Sequence, residues 1–400
     1  RRVAPGKPHD LLDAGCDFFA GYPISPATPL LLHMIRELPK QGGVAIQAED
    51  EIASISMCIG ATVAGARALT ATSGPGISLY SENIGLAIMG EVPLVIVDAQ
   101  RAGPATGGAT TPGQGDVQFV RWGTSGGYPI IALAPSSVAE CYTLTLRAFE
   151  LASRFRCPVF LLTDKALFLS MTTVDSARLK PPPARDRPDE RGLHDISASL
   201  PSGDDRLSRH LDPTGVVSPL HPLGGDQLVR FTGSSHDEHG FLTKDPVKVQ
   251  RLNEHLWRKI EDHRAELELV TLDQQPEAQT LLISYGITAG AMAEAVIRTR
   301  QQGMPVSSMI VHSLWPIPEA AIISALCGAS CQTEIDRVVV GELNLGEYRR
   351  EVERVIYSWA AQTRQSPPEI IGINRIDGEL ITPAQFEESV ARRSPLGRTR

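Results

Sequence analysis

Short apolar runs recur along the first 170 residues, and most of them end at a polar stretch punctuated by glycine. The runs Cys16–Gly21, Val44–Ile46, Arg67–Thr72, Pro93–Asp98, Pro129–Leu133 and Cys157–Thr163 are continuous rather than alternating. That is the pattern of strands covered on both faces. Helical spacing fills the gaps between them. Thr28-Pro29 reads as an N-cap followed by proline in the first turn. Ile52, Ile55 and Ile59 share a helix face from Glu49 onward, and Ser136–Phe155 is a long amphipathic stretch. Strands alternating with helices predict a mostly parallel sheet with helices on both faces.

The pattern lapses and then returns. Residues 171–245 carry Pro181-Pro-Pro183, many Arg and Asp and scattered Gly and Ser, which predicts an irregular crossing segment lying over the first domain. Leu220, Leu223, Leu228 and Phe231 are its expected anchors. Asp245–Leu269 reads as a helix with Leu252, Leu256 and Ile260 inward. Thr280–Tyr285, Val306–His312, Arg337–Glu342 and Glu369–Asn374 read as strands, and Gly290–Gln302, Pro318–Leu326 and Gly346–Gln362 as helices. The expectation is an α/β chain of two doubly wound, mostly parallel-sheet domains, residues 1–170 and 277–400, joined by an irregular segment and linker helix over 171–276.

Composition narrows the function classes. The net charge of −8 and the lack of a lysine-arginine run argue against nucleic acid and anionic membrane surfaces as partners. The longest apolar stretches meet a charge before ~18 residues, too soon for a membrane-spanning helix. The first ten residues are basic and proline-containing with no apolar core behind them, so a cytoplasmic location is expected, and the leading Arg1 reads as the interior of a longer chain. Of six cysteines, Cys16, Cys58 and Cys157 sit in apolar settings and read as reduced core residues. Cys327 and Cys331 are close in sequence, but two thiols cannot hold an iron–sulfur cluster.

In an open parallel sheet the strand-to-helix loops gather at one edge, where ligands bind. Four such loops carry candidate chemistry. Ser25 lies in the proline-braced turn Gly21–Pro26, as a fixed hydroxyl or a plain turn residue. Glu49 follows a strand and opens a helix, as a chemical carboxylate or a helix-dipole partner. Gly74 and Gly76 bracket a turn whose N–H groups would bind an anion, or which lets two backbones approach. Arg101 follows the strand Pro93–Asp98, placed to grip a carboxylate or to pair with Asp98 or Glu91. A nicotinamide-dinucleotide fingerprint fails, because proline separates Gly74 from Gly76 and Leu79 holds the last glycine position. No ATPase-type phosphate loop or H-E-x-x-H occurs.

These residues carry a resemblance. Gly21-Tyr-Pro-Ile-Ser-Pro-Ala-Thr28, Thr72-Ser-Gly-Pro-Gly-Ile-Ser-Leu79, Glu91-Val-Pro-Leu-Val-Ile-Val-Asp98 and Gln100-Arg-Ala-Gly-Pro-Ala-Thr-Gly107 resemble the α subunits of 2-oxoacid:ferredoxin oxidoreductases. Gln114-Gly-Asp116, Thr232-Gly, His236-Asp-Glu238 and Gly341-Glu-Leu-Asn-Leu-Gly346 extend the likeness over nearly the whole chain, and Gly103-Pro-Ala-Thr-Gly107 is most similar to the 2-oxoglutarate type. The resemblance implies an aminopyrimidine-binding domain of a thiamine diphosphate enzyme over 1–170 and a domain like the transketolase C-terminus over 277–400. It implies oxidative decarboxylation of 2-oxoglutarate with coenzyme A to succinyl-CoA, CO₂ and reduced ferredoxin, or the reverse.

The same resemblance places the diphosphate, Mg²⁺ and a [4Fe–4S] cluster on a separate β subunit, with no metal bound by this chain. A gamma domain or subunit and ferredoxin are further expected partners. The chain agrees in lacking a Gly-Asp-Gly metal-diphosphate motif and cluster cysteines. Carried over by position, Glu49 matches the carboxylate that hydrogen-bonds N1′ of the aminopyrimidine and so helps remove the C2 proton. Ser25, Arg101 and Thr106 match substrate-side positions, with Arg101 near the substrate carboxylate. Tyr22, Pro23, Ser73, Gly74 and Gly76 match the cofactor's surroundings. Relatives usually open with Gly-Asn-Glu-Ala where this chain has Pro5-Gly-Lys-Pro-His9, and they carry Thr at Ser25, Gly at Ala102 and Ser at Ala105. The same family acting on pyruvate or branched-chain 2-oxoacids, a non-catalytic architectural subunit and a nucleotide-dependent dehydrogenase are the competing readings.

Overall fold

The computed structural model describes residues 2–3, 14–174, 179, 217, 220–225, 228–327 and 335–391. Two sheets organise it. The first holds β1 (Phe18–Gly21), β2 (Val44–Gln47), β3 (Ala68–Thr72), β4 (Leu94–Gln100), β5 (Ile131–Leu133) and β6 (Val159–Asp164). The second holds β7 (Val270–Asp273), β8 (Thr280–Ser284), β9 (Ser307–Val311), β11 (Arg337–Glu342) and β12 (Glu369–Asn374). One strand crosses between them: β10 (Ser313–Trp315) follows β9 in the chain but pairs antiparallel with β5, extending the first sheet. Arg2–Val3 and Thr172–Thr173 form a separate antiparallel pair.

The first sheet runs β2-β1-β3-β4-β6-β5-β10, with its first six strands mutually parallel. The chain passes from β1 outward to β2 and then back to β3 on the other side, so the switch point lies between β1 and β3. The second sheet runs β12-β11-β8-β9-β7, with β7 antiparallel at its edge. Neither β7 nor β10 is marked by the apolar pattern: β7 is only four residues with alternate positions exposed, and β10 is three.

Most predicted elements form within one or two residues of their expected bounds, because the inner strands are runs buried on both faces: Leu94–Gln100 and Val159–Asp164 are buried at every position, whereas the edge strands Val44–Gln47 and Glu369–Asn374 have exposed ends. Helix Val138–Phe155 covers one face of the first sheet with Leu144, Ala148, Phe149, Leu151 and Phe155. The other face shares a core with the second sheet, in which Ile55, Ile96 and Phe160 join Ile283, Val338, Trp315 and Tyr348. The Trp315 indole N–H also donates to the Val117 carbonyl at 3.0 Å. Burying an aromatic of that size contributes a few kcal/mol, so the two sheets are fastened by apolar area as well as polar contacts.

Three expectations are corrected. Thr28 does not cap its helix: its N–H already donates to the Ile24 carbonyl at 2.9 Å, and Ala27 occupies the N-cap in helical conformation. Asp50 rather than Glu49 opens helix Glu51–Val63, its carboxylate accepting the Ala53 N–H at 2.6 Å. Ile52 faces outward, 48 % exposed, while Ile55 and Ile59 are buried.

Of the crossing segment, Pro181–Pro183 lies outside the described residues, as do Pro5–His9 and Cys331. Leu223 and Leu228 are exposed; Leu220 is half-buried, and Phe231 is an anchor, lying where a side chain on Gly90 would stand. Helix Pro246–Glu261 buries Leu252, Leu256 and Ile260 and is fixed by an ion cluster. Lys259 and His255 both reach Glu91, at 3.0 and 2.9 Å. Burial would raise the Glu91 carboxyl, but Lys259 and His255 hold it far below the usual range.

Candidate functional site at the carboxyl edge of the first sheet

Parallel register brings the four candidate loops to one edge. Gly21 pairs with Gln47 and Ala71, Thr72 with Asp98, and Gln100 with Asp164. The turns after β1, β2, β3 and β4 therefore open side by side at the switch point, where an open α/β sheet leaves a crevice.

Arg101 spans that crevice. It leaves the end of β4, passes β3 and reaches the loop after β1, where Nη1 donates to the Ser25 carbonyl. Nη2 donates to the Thr106 carbonyl at 3.2 Å. The passage depends on Gly74, because a Cβ there would stand 2.8 Å from Arg101 Nε. Gly74 also has φ +51° and ψ −118°, which a residue with a Cβ rarely adopts. Arg101 is 5 % exposed. It makes neither of the ion pairs weighed from the sequence, since Glu91 is engaged by Lys259 and His255.

At the glycine turn, read either as an anion cradle or as a place of close approach, two N–H groups are spent within the turn. The Gly76 N–H donates to the Ser73 carbonyl at 3.0 Å and the Ile77 N–H to the Gly74 carbonyl at 3.2 Å. A Cβ on Gly76 would meet Thr72 Oγ1 at 2.1 Å. The two glycines thus make room for the Arg101 and Thr72 side chains. Gly107 likewise is filled, by the Ala102 carbonyl, whereas Gly103 has open space where a Cβ would project.

Glu49 lies just outside its helix, exposed, with no hydrogen bond or ion pair among the described residues. Tyr22, Pro23, Ser25 and Thr106 are also exposed, and Ser73 is buried.

Around Arg101 the polar atoms are largely unmatched. Thr72 Oγ1, Ser73 Oγ, Arg101 Nε, both carboxyl oxygens of Asp98 and Oδ2 of Asp116 are buried without a donor or acceptor from another residue. Such groups are rare in folded proteins and mark places where something else completes the bonding. Burial and the facing Asp116 push the Asp98 carboxyl well above its ordinary range, and burial raises Asp116 to about 6. Sequence reasoning weighed Asp98 only as an ion-pair partner and noted Asp116 only within its motif.

A second polar cluster joins this edge to the other sheet. The Gln114 N–H donates to the Leu343 carbonyl and the Leu343 N–H to Gln114 Oε1, both at 2.9 Å. Asn344 Nδ2 donates to the Gln114 carbonyl at 2.7 Å and to the Tyr285 hydroxyl at 3.0 Å. Glu342 accepts the Tyr285 hydroxyl and the Tyr348 N–H at 3.0 Å and the Arg349 N–H at 2.9 Å. The Asp116 N–H donates to Gln100 Oε1 at 3.1 Å. The Gln114–Asp116 and Gly341–Gly346 motifs, far apart in sequence, are one bonded unit. Glu347 beside them is raised to about 7, chiefly by burial.

The residues fit one half of a thiamine diphosphate site. An exposed, bond-free carboxylate stands at Glu49, and orphaned hydroxyls and an orphaned guanidinium N–H line the adjoining crevice. Among the described residues no group of three or more His, Cys, Asp and Glu is placed to hold a metal ion. No helix among them is long and apolar enough to cross a membrane.

Comparison with known proteins agrees with this geometry. Residues 10–249 match the family model described as pyruvate flavodoxin/ferredoxin oxidoreductase, thiamine diphosphate-binding. Residues 278–386 match pyruvate:ferredoxin oxidoreductase core domain II. The chain is 36 % identical over 384 residues to 2-oxoglutarate synthase subunit KorA of Methanocaldococcus jannaschii, covering 95 % of each. It superposes with a TM-score of 0.81 and 30 % identity on 2-oxoglutarate:ferredoxin oxidoreductase from Magnetococcus marinus, solved with 2-oxoglutarate, coenzyme A and succinyl-CoA bound. The match covers 98 % of this chain and 64 % of that one. A split-gene transketolase, at 11 % identity and a TM-score of 0.51 over 96 % of this chain and 93 % of its own, shares the fold alone. With its doubly wound sheets, its crevice at the switch point and matches over nearly its full length, the chain belongs to the pyruvate flavodoxin/ferredoxin oxidoreductase family.

Proposed function

We propose that this chain is the α subunit of a thiamine diphosphate-dependent 2-oxoacid:ferredoxin oxidoreductase acting on 2-oxoglutarate. The reaction is oxidative decarboxylation with coenzyme A to succinyl-CoA, CO₂ and reduced ferredoxin, or its reverse. The observation that carries the reading is the crossing of Arg101 past Gly74 to the Ser25 loop, beside the bond-free Glu49 carboxylate. A β subunit supplies the diphosphate and Mg²⁺ site and the iron–sulfur cluster, and a gamma domain or subunit completes the assembly. The buried thiols Cys16, Cys58 and Cys157, all outside disulfides, suit a cytoplasmic location. Residues 1–170 form the pyrimidine-side domain, 171–276 the crossing segment and linker helix, and 277–400 the transketolase C-terminal-like domain.

The cofactor, when bound, supplies carbanion stabilisation. Glu49 holds and exchanges a proton at the aminopyrimidine N1′, with Tyr22, Pro23, Ser73, Gly74 and Gly76 forming the wall around it. Arg101 meets the carboxylate that all 2-oxoacids share, in the charge-assisted geometry a guanidinium favours. Ser25 and Thr106, whose carbonyls hold Arg101 in place, offer their exposed side chains to the substrate. Co-expression with the β subunit, followed by a panel of 2-oxoacids with coenzyme A and a viologen acceptor, tests the reading. Highest kcat/KM for 2-oxoglutarate is expected. Preference for pyruvate or a branched-chain 2-oxoacid overturns the substrate assignment, and no turnover with any 2-oxoacid favours an architectural subunit.

A further inference from the structure

We propose that Asp98 and Asp116 act as a carboxyl pair holding one shared proton, and that this pair sets the charge beside Arg101 and so its affinity for an anionic substrate. The inference rests on the functional reading above for its substrate but on the structure for the pair itself.

Asp98 lies on β4, wholly buried, two residues before its end. Neither of its carboxyl oxygens receives an N–H or O–H from another residue, nor does Oδ2 of Asp116. What each carboxyl meets is the other one. Two ionised carboxylates facing one another away from water repel strongly, and a proton between them removes the repulsion and satisfies the unmatched oxygens together. The adjacent cation is Arg101, which favours the charged form of both acids but makes an ion-pair contact with neither. Its terminal nitrogens are held by the Ser25 and Thr106 carbonyls.

One cation balances one carboxylate, so the second keeps its proton. From the other sheet, Glu347 lies within electrostatic reach of Asp116, and Glu342 and Arg350 lie within reach of Glu347. The raised positions of both carboxyls agree, and the two titrate as a unit.

With one shared proton the set Asp98, Asp116 and Arg101 is neutral. Loss of that proton leaves it at −1 beside the place where Arg101 meets a carboxylate. The affinity for a 2-oxoacid therefore falls as pH rises through the release of the shared proton, while the residues that carry the chemistry are untouched. Asp98 and Asp116 are positioning residues in this account.

The test uses the enzyme assembled with its β subunit, over pH 6 to 9, with 2-oxoglutarate as the probe. Wild-type KM is expected to rise with pH, approaching tenfold per unit once the proton is released, with kcat changing less. Asp98→Asn puts a permanent N–H where the shared proton was, and is expected to flatten the KM profile while leaving kcat within about threefold of wild type. Asp116→Asn does the same from the other side, and serves if Asp98→Asn does not fold. A KM profile in either folded variant that still rises as in wild type overturns the proposal. Infrared difference spectra of the purified chain, with ¹³C-carboxyl aspartate, read the pair without turnover and so decide it whatever the substrate. A buried protonated aspartate band at pH 7 that is lost in Asp98→Asn is expected; its absence in wild type overturns the shared proton.

Discussion

Two buried polar clusters lie beside each other at the carboxyl edge of the first sheet, and they are built on opposite terms. Around Gln114, Tyr285, Glu342 and Asn344, donors meet acceptors at 2.7–3.3 Å in a network tying the two sheets together. Around Asp98, Arg101, Thr72 and Ser73, six buried polar atoms, Oδ2 of Asp116 among them, have no such match. A satisfied network rigidifies, and a partly satisfied one costs stability unless a ligand completes it. The first cluster ties the two sheets together, and in the second Thr72, Ser73 and Arg101 keep unmatched atoms for the ligand we propose. Substitutions in the first should therefore be felt in stability, and those at Glu49 and Arg101, beside and within the second, in catalysis.

The largest expected effect breaks the second region. Glu49→Gln should lower turnover of the assembled enzyme by ~10²–10⁴-fold, the usual cost of losing a positioned acid–base group. Its thermal stability should match wild type, because Glu49 is exposed and bonds to nothing among the described residues. Near-wild-type turnover would return Glu49 to a helix-end role.

Arg101→Lys comes next. It keeps the charge but cannot reach Ser25, Thr106 and a substrate carboxylate with one planar fork. Losing such a contact costs about 1.5–3 kcal/mol, or about 10- to 150-fold in kcat/KM. The loss should appear for every 2-oxoacid tested. A loss confined to 2-oxoglutarate would assign the arginine to the distal carboxylate instead.

Gln114→Ala tests the first region. It strips a buried partner from the Leu343 N–H and the Tyr285 carbonyl, and each orphaned group costs about 1–3 kcal/mol. Denaturant unfolding should show a loss of about 2–4 kcal/mol. An unchanged midpoint would mean that the apolar core shared by the two sheets holds them without this network.

The smallest effect sharpens the border between the regions. Burial raises Glu347 to about 7, so the fold prefers its neutral form. That contribution to stability is fully present below the ordinary carboxyl range and is lost as pH rises through about 7. Glu347→Gln should thus unfold at a higher temperature than wild type at pH 8 and at a similar one at pH 4.5. After discounting for its partial exposure, the gain is about 1 kcal/mol.

The strands and long helices were legible in the chain because continuous apolar runs and helical spacing survive folding unchanged. So was the edge that carries Ser25, Glu49, Gly74 and Arg101, since parallel strands force their exit loops together. The partners of those residues were not legible. Nothing in the spacing says that Gly74 exists to let Arg101 pass, that Asp50 rather than Glu49 caps the helix, or that Gln114 bonds Leu343. Each depends on which loops a sheet order brings adjacent. Short strands escaped too: Ser313–Trp315 joins the first sheet through three residues whose pairing no local pattern announces.

The central claim is that this chain builds the pyrimidine half of a thiamine diphosphate site and leaves the diphosphate half to another subunit. Calorimetric titration of thiamine diphosphate with Mg²⁺, into the isolated chain and into the chain assembled with its β subunit, tests it most directly. Weak or absent binding to the isolated chain and tight binding to the assembly is the predicted result. Tight, Mg²⁺-dependent binding to the isolated chain would contradict it.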